Sequence, residues 1–140
     1  MGKNLPRLVI AGLSGDSGKT IVSSCLLTAL RRKQRTISVF KKGPDYIDAA
    51  WLSQTGQAVC RNLDTYLVPR RVVYASFIKY AQSGDIAIIE GNRGLFDGRD
   101  AAGTHSTAEL ARLLQAPVIL VIDCTKMTRT AAALVRGCME

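Results

Sequence analysis

The chain has 140 residues, 47% of them hydrophobic, and carries a formal net charge of +8. This length suits one domain of roughly 100–200 residues, and the apolar content is that of a globular chain with a core. No apolar run approaches the ~18 residues of a membrane span, and the opening Met1-Gly2-Lys3-Asn4-Leu5-Pro6-Arg7 lacks the apolar region of a secretory signal.

Arg7 to Ala11 reads as a short buried strand. It leads into Gly12-Leu13-Ser14-Gly15-Asp16-Ser17-Gly18-Lys19-Thr20, a glycine-rich turn ending in Gly-Lys-Thr. A helix is predicted from about Gly18 to Arg32, with Val22, Cys25, Leu26, Ala29 and Leu30 as its packing face. Arg31-Arg32-Lys33 closes it, where cations suit the helix dipole. Ile37-Ser38-Val39-Phe40 is a second strand, ending at Lys41-Lys42, and Gly43-Pro44-Asp45-Tyr46-Ile47-Asp48 is a turn. Asp48 fits the N-cap of a short helix closed by Gly56, in which Trp51 packs onto the sheet. Arg61-Asn62-Leu63-Asp64 reads as a polar connection. Pro69 suits the first position of a helix to about Gln82.

Ile86 to Glu90 is an almost wholly apolar strand that ends on a carboxylate, and Gly91 to Gly103 is a glycine-rich loop. Ser106-Thr107-Ala108-Glu109 is a capping box opening a helix that Pro117 ends. Val118 to Ile122 is the last strand, closed by Asp123, and a final helix runs from near Thr128 into the C-terminus. Four apolar strands alternating with helices predict an α/β fold, a mostly parallel sheet with helices on both faces in three α/β/α layers. In such sheets ligands bind beyond the carboxyl ends of the strands. That edge gathers the glycine-rich turn, Lys41 to Asp48, Glu90 to Gly98 and Asp123 to Arg129.

The strand, turn and helix around Lys19 have the context of a phosphate-binding loop. Gly12, Ser14, Gly15, Asp16, Ser17 and Gly18 let backbone N–H groups cradle phosphate oxygens. Lys19 would reach the outer phosphates of ATP, and the Thr20 hydroxyl would hold Mg²⁺. The strict pattern has its first glycine where this chain has Leu13. Glu90 closing an apolar strand is costly to bury unless paired or bound to a metal, so Mg²⁺ is its expected partner. Asp45 and Asp48 offer hard oxygen ligands to the same ion, with the N-cap as the competing role of Asp48. Lys41 would neutralise a transferring phosphoryl group, and Lys42 is read as a solvated charge. Asp97 is a turn residue on these grounds alone, and His105 a surface one.

Charge and cysteines narrow the partners. The basic residues are not interleaved with aromatics and no nucleic-acid motif occurs, so the excess points to a small anionic ligand, such as a nucleotide with a polycarboxylate. Cys25, Cys60, Cys124 and Cys138 form no C-x-x-C pair, and one histidine completes no common zinc set. Free thiols in a reducing, cytoplasmic compartment are expected. Met1-Gly2 is no acylation signal, because Pro6 stands where Ser or Thr is needed.

Phe40 to Asp48, Arg61-Asn62-Leu63-Asp64, Glu90 to Gly98 and Ser106 to Ala111 together resemble the cobyrinic acid a,c-diamide synthase family, in the family's order and over essentially all 140 residues. At lower resolution the chain is similar to dethiobiotin synthetase. The resemblance implies a P-loop NTPase-like fold. It also implies an ATP-dependent amidation of the c and then the a carboxylate of a corrin, through an acyl phosphate, in cobalamin biosynthesis. Lys19 and Thr20 would hold triphosphate and Mg²⁺, and Asp48 and Glu90 would join as metal ligands. Asp45 would lie near the ion or phosphoryl group, Lys41 near the attacking carboxylate, and Asp97 at the substrate or intermediate. Leu13 and Lys42 depart from the family pattern. Residues 1–140 are then expected to be one ATP-binding domain, truncated, and inactive alone. The family's C-terminal glutaminase domain, the source of ammonia, would be missing from this chain. A homodimer is compatible with this reading. The alternatives are a relative acting on nickel-sirohydrochlorin, or a ParA/MinD-like regulatory ATPase. That last class usually carries an early second lysine, and none occurs here between Arg7 and Lys19.

Overall fold

Alternation of apolar side chains along the strands sorts this chain into three layers. The computed structural model describes residues 5–139. The N-terminal signal and acylation readings at Met1 to Asn4, and the continuation of the last helix to Glu140, lie outside the described residues. In chain order the elements are β1 (Arg7–Gly12), α1 (Lys19–Arg32), β2 (Ile37–Lys42), α2 (Ile47–Gly56), β3 (Cys60–Leu63), α3 (Arg70–Ala81), β4 (Ile86–Gly94), α4 (Thr107–Leu114), β5 (Val118–Val121) and α5 (Thr130–Gly137). The five strands pair in the order β3-β2-β4-β1-β5, and every pairing is parallel.

Successive strand residues face opposite sides of a sheet. Val9, Ala11, Phe40, Ala87 and Ile89 meet Val73 and Phe77 of α3 and Leu110 and Leu114 of α4 in one core. Ile10, Val39 and Ile88 meet Leu27 of α1 and Leu52 of α2 in the other. The helix pairs α1 with α2 and α3 with α4 therefore cover opposite faces. Each fully buried large side chain adds roughly 1.5–3 kcal/mol of burial free energy. The Phe40 and Phe77 rings, 5.2 Å apart, anchor the second pair of helices.

The expected fold stands, with corrections to individual elements. Cys60–Leu63 is a fifth strand and no mere connection. Its residues lack alternation, yet it pairs with β2 from Val39↔Cys60 to Lys42↔Leu63. As an edge strand it needs only Leu63 in the core, and the Arg61 guanidinium covers the Tyr80 ring at 3.8 Å. Strand β4 runs on past Glu90 to Gly94, because Gly94 pairs again with Gly12 of β1 beyond an irregularity. On α1 the buried residues are Lys19, Ser23 and Leu27, while Cys25 is exposed and does not pack. Trp51 is 60% exposed, on the outer side of α2, so Leu52 and Ala49 do the packing assigned to it. Asp48 is not the N-cap of α2. That work falls to Asp45, whose Oδ1 accepts from the Ile47 and Asp48 N–H groups at 2.9 and 3.0 Å. Helix α4 opens as expected, with Ser106 Oγ accepting from Glu109 N–H, but Glu109 reaches back to His105 N–H and not to Ser106. No helix among the described residues is long and apolar enough to cross a membrane.

Candidate active site

The site grows out of the same alternation. Lys41 follows Val39 by two residues, and Glu90 follows Ile88 by two, so both point to the α1/α2 face. Lys41 and Glu90 are also direct register partners across β2 and β4. At the carboxyl end of the sheet the apolar ladder on this face thus turns into an ammonium and a carboxylate. Helix α1 starts above them with Lys19 and Thr20, and the first turn of α2 brings Asp48.

The resulting contacts form one network. Lys41 Nζ donates to Asp48 Oδ2 at 2.6 Å, to Glu90 Oε1 at 2.8 Å and to the Gly91 carbonyl at 3.1 Å. Thr20 Oγ1 donates to Glu90 Oε1 at 3.1 Å. Lys41 and Glu90 are 1% and 0% exposed. Burial pushes the Lys41 ammonium toward neutrality, but the hydrogen bonds and charges of Asp48 and Glu90 outweigh it and hold its pKa above the ordinary lysine value. Lys19 goes the other way. Burial lowers its pKa, and the neighbouring Lys41 charge lowers it further, against Glu90, Asp16 and Asp48.

Above this network lies a cavity of about 510 Å³, lined by residues 15–21 together with Lys41, Asp45, Asp48, Asn92 and Arg93. Gly18, at φ +87°, turns the loop into α1 in the left-handed region that glycine adopts without strain. Gly12 lies beneath the loop and does not line the cavity. A Cβ there would overlap Ser17 Oγ and lie 2.7 Å from the Ser14 carbonyl and 2.8 Å from Lys19 Nζ. Its role is close approach, which lets the loop fold over the end of β1. Lys19 Nζ is held by that Ser14 carbonyl at 2.9 Å, curled over the loop. Ser14 itself is exposed and bonds Gly15.

Two polar atoms in this region have no partner among the described residues. Ser17 Oγ, in the loop, and Glu90 Oε2, under it, are both buried and unpaired. Buried polar atoms are normally hydrogen-bonded, so these two are free to serve a ligand. Among the described residues no three His, Cys, Asp or Glu side chains converge on one point. Glu90, Asp48 and the Thr20 hydroxyl nevertheless suit Mg²⁺, which takes one or two carboxylates and keeps waters and substrate phosphates. The Lys41 ammonium already pairs with Asp48 Oδ2 and Glu90 Oε1, which leaves Glu90 Oε2 as the open oxygen of the set.

Asp97 stands apart from this cavity. Its Oδ2 accepts from Gly94 N–H at 3.1 Å, the turn role expected of it, and it lines a neighbouring cavity with His105. His105 is partly buried and shares a 3.0 Å hydrogen bond with Thr65. Lys42 is also on that wall. Burial lowers its pKa, so it is not the solvated charge expected from sequence. Asn62 and Asn92 were not singled out by sequence. Asn62 donates to the Gly43 and Asp45 carbonyls and so fixes the turn that carries Asp45. Asn92 lines both cavities and is tied to Thr107 through both its backbone groups. Only its place just beyond Glu90 could have drawn attention to it.

Residues 8–139 match the CobQ/CobB/MinD/ParA nucleotide binding domain. The chain belongs to this family. Its P-loop NTPase fold is the three-layer α/β/α sheet seen here. Among curated relatives, the cobyrinate a,c-diamide synthases of Magnetococcus marinus and Syntrophotalea carbinolica are 47% and 48% identical over 98% and 96% of this chain. The hydrogenobyrinate a,c-diamide synthase of Streptomyces coelicolor is 45% identical over 97% of it. The chain spans only 28–30% of the length of these relatives. The resemblance to the diamide synthases is therefore shown over this domain.

Proposed function

We propose that this chain is the carboxylate-activating, ATP-binding part of a cobyrinate a,c-diamide synthase that acts in cobalamin biosynthesis. The observation that carries the reading is the network of Asp48 and Thr20 around the buried Lys41–Glu90 pair beneath the phosphate loop, in a chain matched over nearly all its residues by diamide synthase relatives.

A carboxylate does not exchange oxygen for an amine at neutral pH. One carboxylate oxygen of the corrin would attack the terminal phosphorus of ATP, and ADP would leave with the bridging oxygen. Ammonia would then attack the acyl carbon, and inorganic phosphate would depart as the amide forms and a proton is released. In such transfers the protein chiefly positions groups and stabilises charge. Ser17, Gly18 and Lys19 would hold the phosphates. Thr20, Asp48 and Glu90 would hold Mg²⁺, which neutralises charge on the phosphate oxygens. Lys41, already charged and fixed by two carboxylates, would face the incoming carboxylate from the cavity wall, and Asp45 would fix the turn at the mouth. Asp97 would meet the substrate from the second cavity. Ammonia would come from glutamine through a glutaminase domain outside these 140 residues.

The test is mass spectrometry of the product made by the full-length protein from ATP, Mg²⁺ and glutamine, with cobyrinic acid and nickel-sirohydrochlorin offered together. Two successive amidations of the corrin are expected. Amidation of nickel-sirohydrochlorin alone, or ATP turnover that no tetrapyrrole stimulates, would refute the reading.

A further inference from the structure

The second cavity, of about 220 Å³, abuts the phosphate cavity, and Asn92 and Arg93 line both. Three cationic side chains reach it, Lys42, Arg93 and Arg99. None of them makes an ion pair with a carboxylate among the described residues. Arg99 instead lies 5.0 Å from the centre of the Tyr66 ring, an aromatic contact that holds it without neutralising it. The two carboxylates on the wall accept backbone N–H groups and form no ion pair with these cations. Asp64 Oδ1 accepts from the Tyr66 and Leu67 N–H groups, and Asp97 Oδ2 from Gly94 N–H. Burial lowers the Lys42 pKa although Asp64 opposes it, and the Lys41 and Arg93 charges add to the lowering. Arg93 itself has φ +52°, a left-handed conformation uncommon for a non-glycine residue, on the irregular end of β4. Such backbone strain persists where the surroundings impose it and is found at binding sites.

We propose that this second cavity is a carboxylate subsite, in which Lys42, Arg93 and Arg99 hold a non-reacting peripheral carboxylate of the polycarboxylate substrate. The inference rests on the diamidation reading and adds to it the group that orients the macrocycle. One carboxylate would enter the phosphate cavity for activation while another is held next door, with Asn92 and Arg93 as the shared wall. Arg93 serves both cavities and so cannot separate them. Lys42 and Arg99 line only the second.

The experiment is steady-state kinetics of the full-length protein and its Lys42→Gln and Arg99→Gln variants, with thermal midpoints to check folding. Loss of a charge-assisted hydrogen bond predicts a KM for cobyrinic acid raised about tenfold in each, with KM for ATP moved less than twofold. Arg99→Lys, which keeps the charge, restores part of the loss. A corrin analogue with its non-reacting carboxylates amidated binds wild type and the Gln variants alike. An unchanged corrin KM in folded variants, an equal rise in the ATP KM, or a variant defect that persists with the amidated analogue overturns the subsite. A wild-type protein that amidates no corrin refutes the underlying reading instead and takes the subsite with it.

Discussion

Glu90→Gln is the substitution most informative about the buried network. It keeps the shape of the side chain and removes one negative charge from a group that is 0% exposed. In the native arrangement Lys19 and Lys41 are balanced by Asp48 and Glu90. After the change one positive charge stays unbalanced, and Lys41 keeps Asp48 as its one charged partner, with the Gly91 carbonyl and the Gln amide oxygen as neutral acceptors. Breaking a buried ion pair by removing one partner costs about 3–5 kcal/mol. Because Asp48 still pairs with Lys41 at 2.6 Å, we expect about 2 kcal/mol of lost stability. Denaturant unfolding of Glu90→Gln, Lys41→Met and the double variant forms a cycle that isolates the pair. The double variant is expected to recover much of the loss, with a coupling of about 2 kcal/mol. In the full-length protein, turnover at limiting Mg²⁺ should fall much further than stability does. Additive unfolding energies would refute the pairing argument. Normal turnover of Glu90→Gln at limiting Mg²⁺ would refute its role at the metal.

Lys19→Ala removes a charge-assisted contact to phosphate and should weaken Mg-ATP binding at least tenfold by calorimetry on folded protein; equal affinity would remove Lys19 from the site. Gly12→Ala places a Cβ 2.7 Å from the Ser14 carbonyl, so it should abolish nucleotide binding while circular dichroism shows the sheet retained. The pKa of Glu109 is lowered first by the His105 N–H and then by Arg70, against burial. A depressed carboxylate stabilises the fold above its unfolded value and loses that contribution as pH falls through the native one. The wild type should therefore lose stability relative to Glu109→Gln as pH drops below ~4.5 in acid unfolding. Residues 1–140 should release no glutamate from glutamine, since burial and the Glu90 charge push the Cys60 thiol up to about 12 and the single histidine bonds Thr65 rather than a thiol. Glutamate release above that of a variant with all four cysteines changed to serine would contradict this.

The sheet was legible because parallel strands buried on both faces read as apolar runs, and Val9-Ile10-Ala11 and Ala87-Ile88-Ile89 are such runs. The phosphate loop was legible because its glycines and Gly-Lys-Thr sit between one such strand and a helix. Strand β3 was hidden because Cys60-Arg61-Asn62-Leu63 carries no periodicity, and its pairing comes from β2. Trp51 was misplaced because size and aromaticity suggest burial, while its position on α2 faces outward. Asp48 was half read. The sequence rule for caps applied to the right turn, but Asp45 caps, and Asp48 is thereby left for Lys41. Nothing in a single sequence shows the Lys41–Glu90 pairing directly, because it depends on the register of two strands 49 residues apart.

That register explains why an expensive buried charge pair can be tolerated here at all. In a parallel sheet of the order β3-β2-β4-β1-β5, β4 lies between β2 and β1. The strand that carries the phosphate loop and the strand that carries Lys41 therefore both border Glu90. A carboxylate at this position is reached by Thr20 from one neighbour's helix and by Lys41 from the other strand, without any loop having to move. The irregularity between Ile10 and Gly12 of β1 then takes up the extra residues of β4 after Glu90 and places Asn92 and Arg93 on the cavity wall. Glu90 to Gly94 advances four residues while Ile10 to Gly12 advances two, so deleting Asn92 and Arg93 together removes the irregularity and with it the tie to Thr107, which now bonds both backbone groups of Asn92. The two cavities would lose their common wall while the Lys41–Glu90 pair, set by register before the irregularity, stayed intact. Such a deletion separates the positioning of substrate from the holding of phosphate, and it should raise KM for the corrin while Mg-ATP still binds.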